Sequence, residues 1–400
     1  MQRLGEFFEK FLNKESLFIN KKVLQNDYIP ESIFHRDNEI KNIASILAPS
    51  LKLEKPSNLF IYGKTGTGKT LTIKYITNQL KELASQKEIL LKIFYINCKL
   101  KKIADTEYRL LVQLAFELGK SIPPTGLPTD EVYKIFFNII DQKEQLIIIV
   151  LDEIDQLIKR SGDSILYNLT RINSEFKKSQ ISIIGISNNL TMIDNIDPRV
   201  KSSLSEEEII FPPYNALQLQ NILKDRVKQA FKENTLEQGL IEKCSAFAAR
   251  DHGDARRAIE LLRVAAEIAE RNNEKKILIK HLDEAEEKIE RDRFIDIVEK
   301  QPKQFQVTLY SILVVNSQRN ESIYTGDVYE LYKQICLKTG LRPLTQRRIS
   351  DIIAELDTLG LINVKLISKG RYGRTRAISS SLPSVTESKI KKILEQELDL

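Results

Sequence analysis

Cysteine is scarce in this chain. Cys98, Cys244 and Cys336 are odd in number, far apart and never in a CxxC pair, which excludes a disulfide framework and a cysteine-based zinc site and points to a reducing compartment. Histidine is as rare, and His35, His252 and His281 stand alone, so the sequence offers no imidazole cluster for a metal. Long apolar runs are missing too. The longest, such as Leu146 to Leu151, fall well short of the roughly 20 residues that span a bilayer, and the first ten residues carry Glu6 and Glu9 where a signal peptide would be apolar. The expectation is a soluble, cytoplasmic protein with no membrane partner. Gly 15 and Pro 12 are too few for a low-complexity chain. The excess of Lys plus Arg, 61 against 55 Asp plus Glu, leaves only +6, so the total charge names no polyanionic partner.

What the chain does have is length and apolar content. At 400 residues with 42% hydrophobic residues it can form two or three cores. Between residues 58 and 187, the β-rich runs Asn58 to Tyr62, Leu91 to Asn97, Leu146 to Leu151 and Ile181 to Ser187 alternate with amphipathic stretches, the pattern of a parallel sheet with helices on both faces. Leu146 to Leu151 has no polar break and reads as a central strand. After Phe211, Pro212, Pro213 and Tyr214 the pattern turns helical over Ala216 to Phe231, Leu236 to Ala249 and Ala255 to Arg271. Beyond Pro302, helices are expected at Phe305 to Asn316, Thr325 to Leu337 and Thr345 to Leu359, then strands at Ile362 to Ile367 and Thr375 to Ser379. Three helices and a basic hairpin describe a winged helix. A last helical pattern resumes at Glu387.

Gly63, Lys64, Thr65, Gly66, Thr67, Gly68, Lys69 and Thr70 match GxxxxGK[ST], with a strand before and a helix, Leu71 to Leu83, after. Glycines there let backbone amides wrap phosphate oxygens, and the helix N-terminus adds partial positive charge. Lys69 is expected to reach the β and γ phosphates of ATP or ADP and Thr70 to ligate Mg2+, with Leu71 completing the nucleotide set. Asp152 and Glu153 end the most apolar strand, where adjacent carboxylates call for a cation. Asp152 is expected to serve magnesium and Glu153 the attacking water, with Asn188 placed to orient that water.

Two helix starts run against the macrodipole. Asp254 reads as the N-cap of Ala255 to Arg271, yet Arg256 and Arg257 follow at once, as they would if an anion lay nearby. Arg256 lies off the apolar stripe, free to reach a γ-phosphate. Thr345 is likewise followed by Gln346, Arg347 and Arg348. From Arg342 to Arg376 there are eight Lys or Arg against three Asp or Glu, a local net of +5. Lys369, Arg371, Tyr372, Arg374 and Arg376 crowd the hairpin, and helix and hairpin together suit duplex DNA.

In combination, IVLDEID (Ile149 to Asp155), ISNN (Ile186 to Asn189), DPRVKSSL (Asp197 to Leu204), FPPY (Phe211 to Tyr214), GDARRAIELL (Gly253 to Leu262) and GRYGRTR (Gly370 to Arg376) resemble the archaeal initiators related to the eukaryotic origin recognition complex and its cell-division-control helicase loader. The resemblance implies an α/β AAA+ P-loop core over 31–213 after an N-terminal leader over 1–30, an all-α lid over 214–292, and a C-terminal winged-helix domain over 293–400. It implies Asn188 as first sensor, Arg256 as second sensor, Tyr214 and Arg226 as further nucleotide contacts, and the segment Ile122 to Tyr133 as an extra contact to DNA. Related eukaryotic subunits place an arginine finger where this chain has Ser203, with Arg199 nearby, which implies slow intrinsic ATP hydrolysis. The implied function is an ATPase switch that binds origin DNA, helps recruit the replicative helicase and pairs with paralogous initiator subunits at the nucleoid. A nucleotide-regulated transcription factor and a clamp-loader or branch-migration motor are the other readings.

Overall fold

Apolar runs buried on both faces build the central strands of a parallel sheet in the first part of the chain. The computed structural model describes residues 15–25, 28–99, 106–123, 125–190, 197–204, 206–318, 323–368 and 374–400. The chain divides into two compact units, Met1–Leu282 and Asp283–Leu400.

The first unit is built on a five-stranded sheet in the order β2-β3-β4-β1-β5, every pairing parallel. The strands are β1 (Leu59–Gly63), β2 (Leu91–Asn97), β3 (Gln145–Asp152), β4 (Ser179–Ser187) and β5 (Glu207–Phe211). β3 is buried along its whole length. Its side chains alternate between two cores, Ile147, Ile149 and Leu151 packing with helices Glu107–Glu117 and Thr129–Ile140, and Ile148 and Val150 with helices Asp37–Leu47 and Lys69–Gln86. Each such aliphatic side chain contributes about 2 kcal/mol, so this one strand rivals the net stability of a typical domain. The sequence pattern does not reveal β5. It is a short edge strand opening on Glu207 and Glu208, with Ile209 buried and Ile210 58% exposed, too brief a pattern to separate from a turn.

The same unit continues into helices Ala216–Ala230, Leu240–Arg250 and Ala255–Arg271. Asn215 and Gln218 form a capping box at the first. The second starts at Leu240 and not at Leu236, because Leu236 bridges Ile277 and Gly239, at φ 86°, turns the chain into the helix. Residues 17–24 fold onto these helices. Phe18 stacks on Phe231 at 4.9 Å, Lys21 pairs with Glu267 at 2.8 Å, and Val23 and Leu24 are buried.

In the second unit, helices Lys303–Gln318, Thr325–Lys338 and Gln346–Thr358 pack with an antiparallel sheet in the order β6-β8-β7. Here β6 is Ile323–Tyr324, β7 is Ile362–Ser368 and β8 is Arg374–Ser380, followed by helix Ser384–Glu397. The two-residue β6 has no period of its own to read. Ile349, Ile352, Ile353 and Leu356 form the buried stripe of Gln346–Thr358.

All three cysteines are buried and unpaired. Burial pushes the Cys98 and Cys244 thiols up to about 12, which leaves a thiolate fraction on the order of 10⁻⁵ at pH 7. Ellman's reagent is therefore expected to find no reactive thiol in native protein and three per chain after denaturation; prompt reaction of native protein would contradict this packing.

Candidate functional site

The carboxyl ends of β1, β3 and β4 converge on one cleft, the usual place for a ligand on a parallel sheet. It has a volume of about 340 Å³ and is lined by Gly66, Thr67, Gly68, Lys69, Thr70, Lys74, Tyr95, Asn97, Asp152, Glu153, Asn188 and Arg256. Nine of the sequence-predicted residues therefore meet here. Gly63 and Thr65 do not line it. Gly63 instead gives its carbonyl to Lys69, and Thr65 is exposed.

The loop's glycines answer to different constraints. A Cβ on Gly63 would stand 2.5 Å from the Phe211 carbonyl oxygen, where β1 lies against β5. Gly66 and Gly68 have φ of 69° and 93°, and a Cβ on them would stand 1.7 Å from Asp254 Oδ1 and 2.8 Å from the Tyr214 hydroxyl. Lys69 is 5% exposed, and its ammonium donates to the Gly63 and Lys64 carbonyls, each at 2.8 Å, and to Asn188 Oδ1 at 2.9 Å. All three acceptors are neutral. Burial lowers the Lys69 pKa to about 8 against the pull of Asp152, the condition of a buried cation facing a space suited to an anion.

Asp152, 4% exposed, accepts from Thr70 Oγ1 at 2.9 Å and from the Tyr95 hydroxyl on one oxygen, and from the Glu153 amide at 3.0 Å on the other. Thr70 and Asp152 thus meet as hydroxyl and carboxylate. This all-oxygen set suits a hard divalent ion such as Mg2+ and not a thiophilic one. Glu153 has φ 54°, a left-handed conformation costing a non-glycine residue about 1 to 2 kcal/mol, of the kind concentrated at functional sites. Its carboxylate lies 3.5 Å from Lys99 Nζ.

Across the cleft, Asp254 caps helix Ala255–Arg271 through the amides of Arg256 at 2.8 Å and Arg257 at 3.3 Å. Arg256 is exposed on the cleft wall, as a residue off the apolar stripe should be, and Arg257 turns away to Asp251. A second, apolar slot adjoins, lined by Leu71, Tyr214, Arg226, Ile222 and Ile259 together with Tyr28, Ile29, Pro30 and Phe34. Arg226 is 6% exposed, its guanidinium 4.6 Å from the Tyr28 ring centroid. The 28–34 stretch was not anticipated. It is a non-periodic, Pro-containing segment whose role depends on contacts some 190 residues away, and no local spacing signals them.

Sequence reasoning also missed Tyr95 and Arg36. Tyr95 sits in an ordinary strand pattern, and Arg36 stands before a helix as any surface arginine would, yet it is 2% exposed. Near the implied trans site, Arg199 is tied to Asp197 at 2.9 Å, and the side chain of Ser203 lies outside what is described. In the segment expected to reach DNA, the Pro123 carbonyl accepts from Tyr108 at 2.8 Å and helix Thr129–Ile140 follows.

In the second unit, Thr345 caps helix Gln346–Thr358 through the Arg348 amide at 3.4 Å, and Thr345, Gln346, Arg347 and Arg348 are all exposed on that first turn. Arg376 donates to the Ser350 carbonyl, so this arginine braces β8 against the helix. Lys369, Arg371 and Tyr372 lie outside the described residues, as does the Arg374 side chain.

Three family models match the chain: ATPase family associated with various cellular activities (AAA) over 59–213, the Cdc6 AAA+ ATPase-type lid domain over 220–287, and the CDC6 C-terminal winged helix domain over 296–388. An ORC1-type DNA replication protein of Thermococcus onnurineus is 50% identical over 401 residues, covering 99% of this chain and 95% of its own length. The chain belongs to the ORC1-type DNA replication proteins. A second ORC1-type relative, from Pyrococcus furiosus, is 49% identical over 402 residues, covering all of this chain and 94% of its own. Among solved structures, Aeropyrum pernix ORC1 in complex with DNA is 40% identical with a TM-score of 0.83, over 96% of this chain and 98% of that one. Membership makes the first unit of this ORC1-type chain an AAA+ ATPase core with its lid and the second a winged helix. Of the readings the sequence left open, it selects the replication initiator.

Proposed function

We propose that this ORC1-type chain is a slow, ATP-operated switch that binds duplex origin DNA through its winged helix and helps recruit the replicative helicase, alongside paralogous initiator subunits. The observation that carries the reading is the convergence of Lys69, Thr70, Asp152, Glu153, Asn188 and Arg256 on one cleft, in a chain whose second unit presents Arg347 and Arg348 on an exposed helix start.

Within the cleft each residue has a task. The loop amides and the Lys69 ammonium bind the β and γ phosphates of ATP. Thr70 and Asp152 would hold Mg2+, which supplies charge neutralisation between the phosphates when bound. Asn188, already bonded to Lys69, orients the attacking water, and Glu153 accepts its proton. Arg256 approaches from the lid, so the lid feels whether a γ-phosphate is present, and the apolar slot with Tyr214 and Arg226 takes the base. The base pocket of this reading includes Tyr28, Ile29 and Phe34, so the N-terminal segment belongs to the switch. Arg199 is held by Asp197, which fits turnover without an arginine supplied in trans. A relative of this chain, Aeropyrum pernix ORC1, has been solved with DNA, which supports DNA binding in this reading.

The DNA arm is tested by salt titration. Replacing Arg347 and Arg348 by Ala is expected to lower affinity for duplex oligonucleotides at least about tenfold. It should also flatten the slope of log K against log salt by about 0.9 for each DNA phosphate the variant leaves unneutralised. Wild-type affinity and slope in the double variant would remove this helix from the interface.

A further inference from the structure

Among the described residues Arg36 is the largest fully buried side chain, although nothing in its sequence setting marks it. Burying a guanidinium is costly unless its donors and its flat faces are all met. Here each of the three nitrogens finds an acceptor, on three separate elements. Nε donates to the Thr67 carbonyl of the phosphate loop at 3.0 Å, Nη2 to the Pro212 carbonyl at 2.6 Å, and Nη1 to Glu39 at 3.0 Å. The guanidinium lies 4.0 Å from the Tyr214 ring centroid and 5.3 Å from that of Phe211. Pro212 and Tyr214 are the joint between β5 and the first lid helix.

The bond to Thr67 has a direct consequence for phosphate binding. In a planar trans peptide the carbonyl of one residue and the amide of the next point in opposite directions. Holding the Thr67 oxygen toward Arg36 therefore turns the Gly68 amide the other way, toward the cleft that Thr67 and Gly68 line. The same cation fixes the Tyr214 ring, whose hydroxyl would lie 2.8 Å from a Cβ on Gly68.

We propose that Arg36 is a positioning residue of the nucleotide site: it aims the Gly68 amide at the phosphates and ties the phosphate loop to the core–lid joint. This rests on the nucleotide reading above. An amide aimed in advance serves ground state and transition state alike, so its loss raises Kd and KM and spares kcat. A merely structural role would instead lower the folded fraction and leave Kd unchanged in the molecules that fold.

The test is titration of a fluorescent ADP analogue with full-length wild type, Arg36→Lys and Glu39→Gln, with steady-state ATP hydrolysis and thermal unfolding in parallel. Lysine keeps the charge and loses the planar fork. We expect Arg36→Lys to weaken ADP binding at least tenfold, with kcat within twofold of wild type. Glu39→Gln, which releases only Nη1, should weaken it twofold to fivefold and serves as the probe should Arg36→Lys fail to unfold cooperatively. Wild-type ADP affinity in Arg36→Lys, or in Glu39→Gln where only that variant folds, overturns the proposal. Wild-type protein that binds no ADP would overturn the nucleotide reading itself, and the proposal with it.

Discussion

Lys69→Ala is expected to abolish measurable binding of both ATP and ADP while leaving the fold intact. The ammonium is buried against two carbonyls and an amide oxygen, and burial has drawn its pKa down to about 8. Its hydrogen-bond acceptors are all neutral, and in the proposed site phosphate oxygens would supply a counter-charge in direct contact. Charge-assisted hydrogen bonds of this kind contribute about 1.5 to 3 kcal/mol each, so two of them set a loss of roughly a hundredfold or more. The fold should survive because the side chain removed is one whose burial opposes its charge, and the adjacent helix keeps its buried Thr72, Ile73 and Ile76. Equilibrium titration with a fluorescent nucleotide, alongside thermal unfolding of the nucleotide-free protein, measures both halves. ADP binding by the variant at wild-type strength would remove Lys69 from the site.

Glu153→Gln is expected to separate binding from cleavage. Glutamine keeps the shape and the left-handed backbone at this position but cannot take up a proton, and loss of a general base typically costs 10² to 10⁴ in rate. Affinity for ATP should remain within a few-fold of wild type, because the proposed cradle consists of Lys69, Thr70 and the loop amides, while the Glu153 carboxylate faces Lys99 at 3.5 Å. Single-turnover hydrolysis with prebound ATP isolates the chemical step. Hydrolysis at the wild-type rate would transfer the role of base to another group.

The difference between what could and could not be read from the sequence follows the range of the interactions. The phosphate loop, the apolar run of β3 and the cap at Asp254 are local: a few neighbouring residues determine the backbone, and the spacing shows it. The parallel core, the helical lid and the winged helix are legible for the same reason, since each is a succession of clear periods. β5 is not, because a five-residue edge strand with two glutamates has no distinctive alternation. Arg36 and Tyr95 are not, because their roles depend on partners 31 and 57 residues away. The slot residues Tyr28, Ile29 and Phe34 are further removed still, joined to Arg226 only by the folded chain. The helix starts at Arg256 and Arg347 lie between these cases. Their conflict with the macrodipole is visible locally, but what resolves it lies elsewhere.

Gly66 presses against Asp254, and its carbonyl accepts the Ala255 amide at 3.2 Å. The bend proposed to wrap the phosphates and the seat of the lid are consequently one surface. A mutational scan that placed even a methyl group at residue 66 would wedge apart two subdomains while also deforming the cradle. Defects in ligand capture and in closure would then be inherited together, so this glycine cannot be used to dissect one from the other.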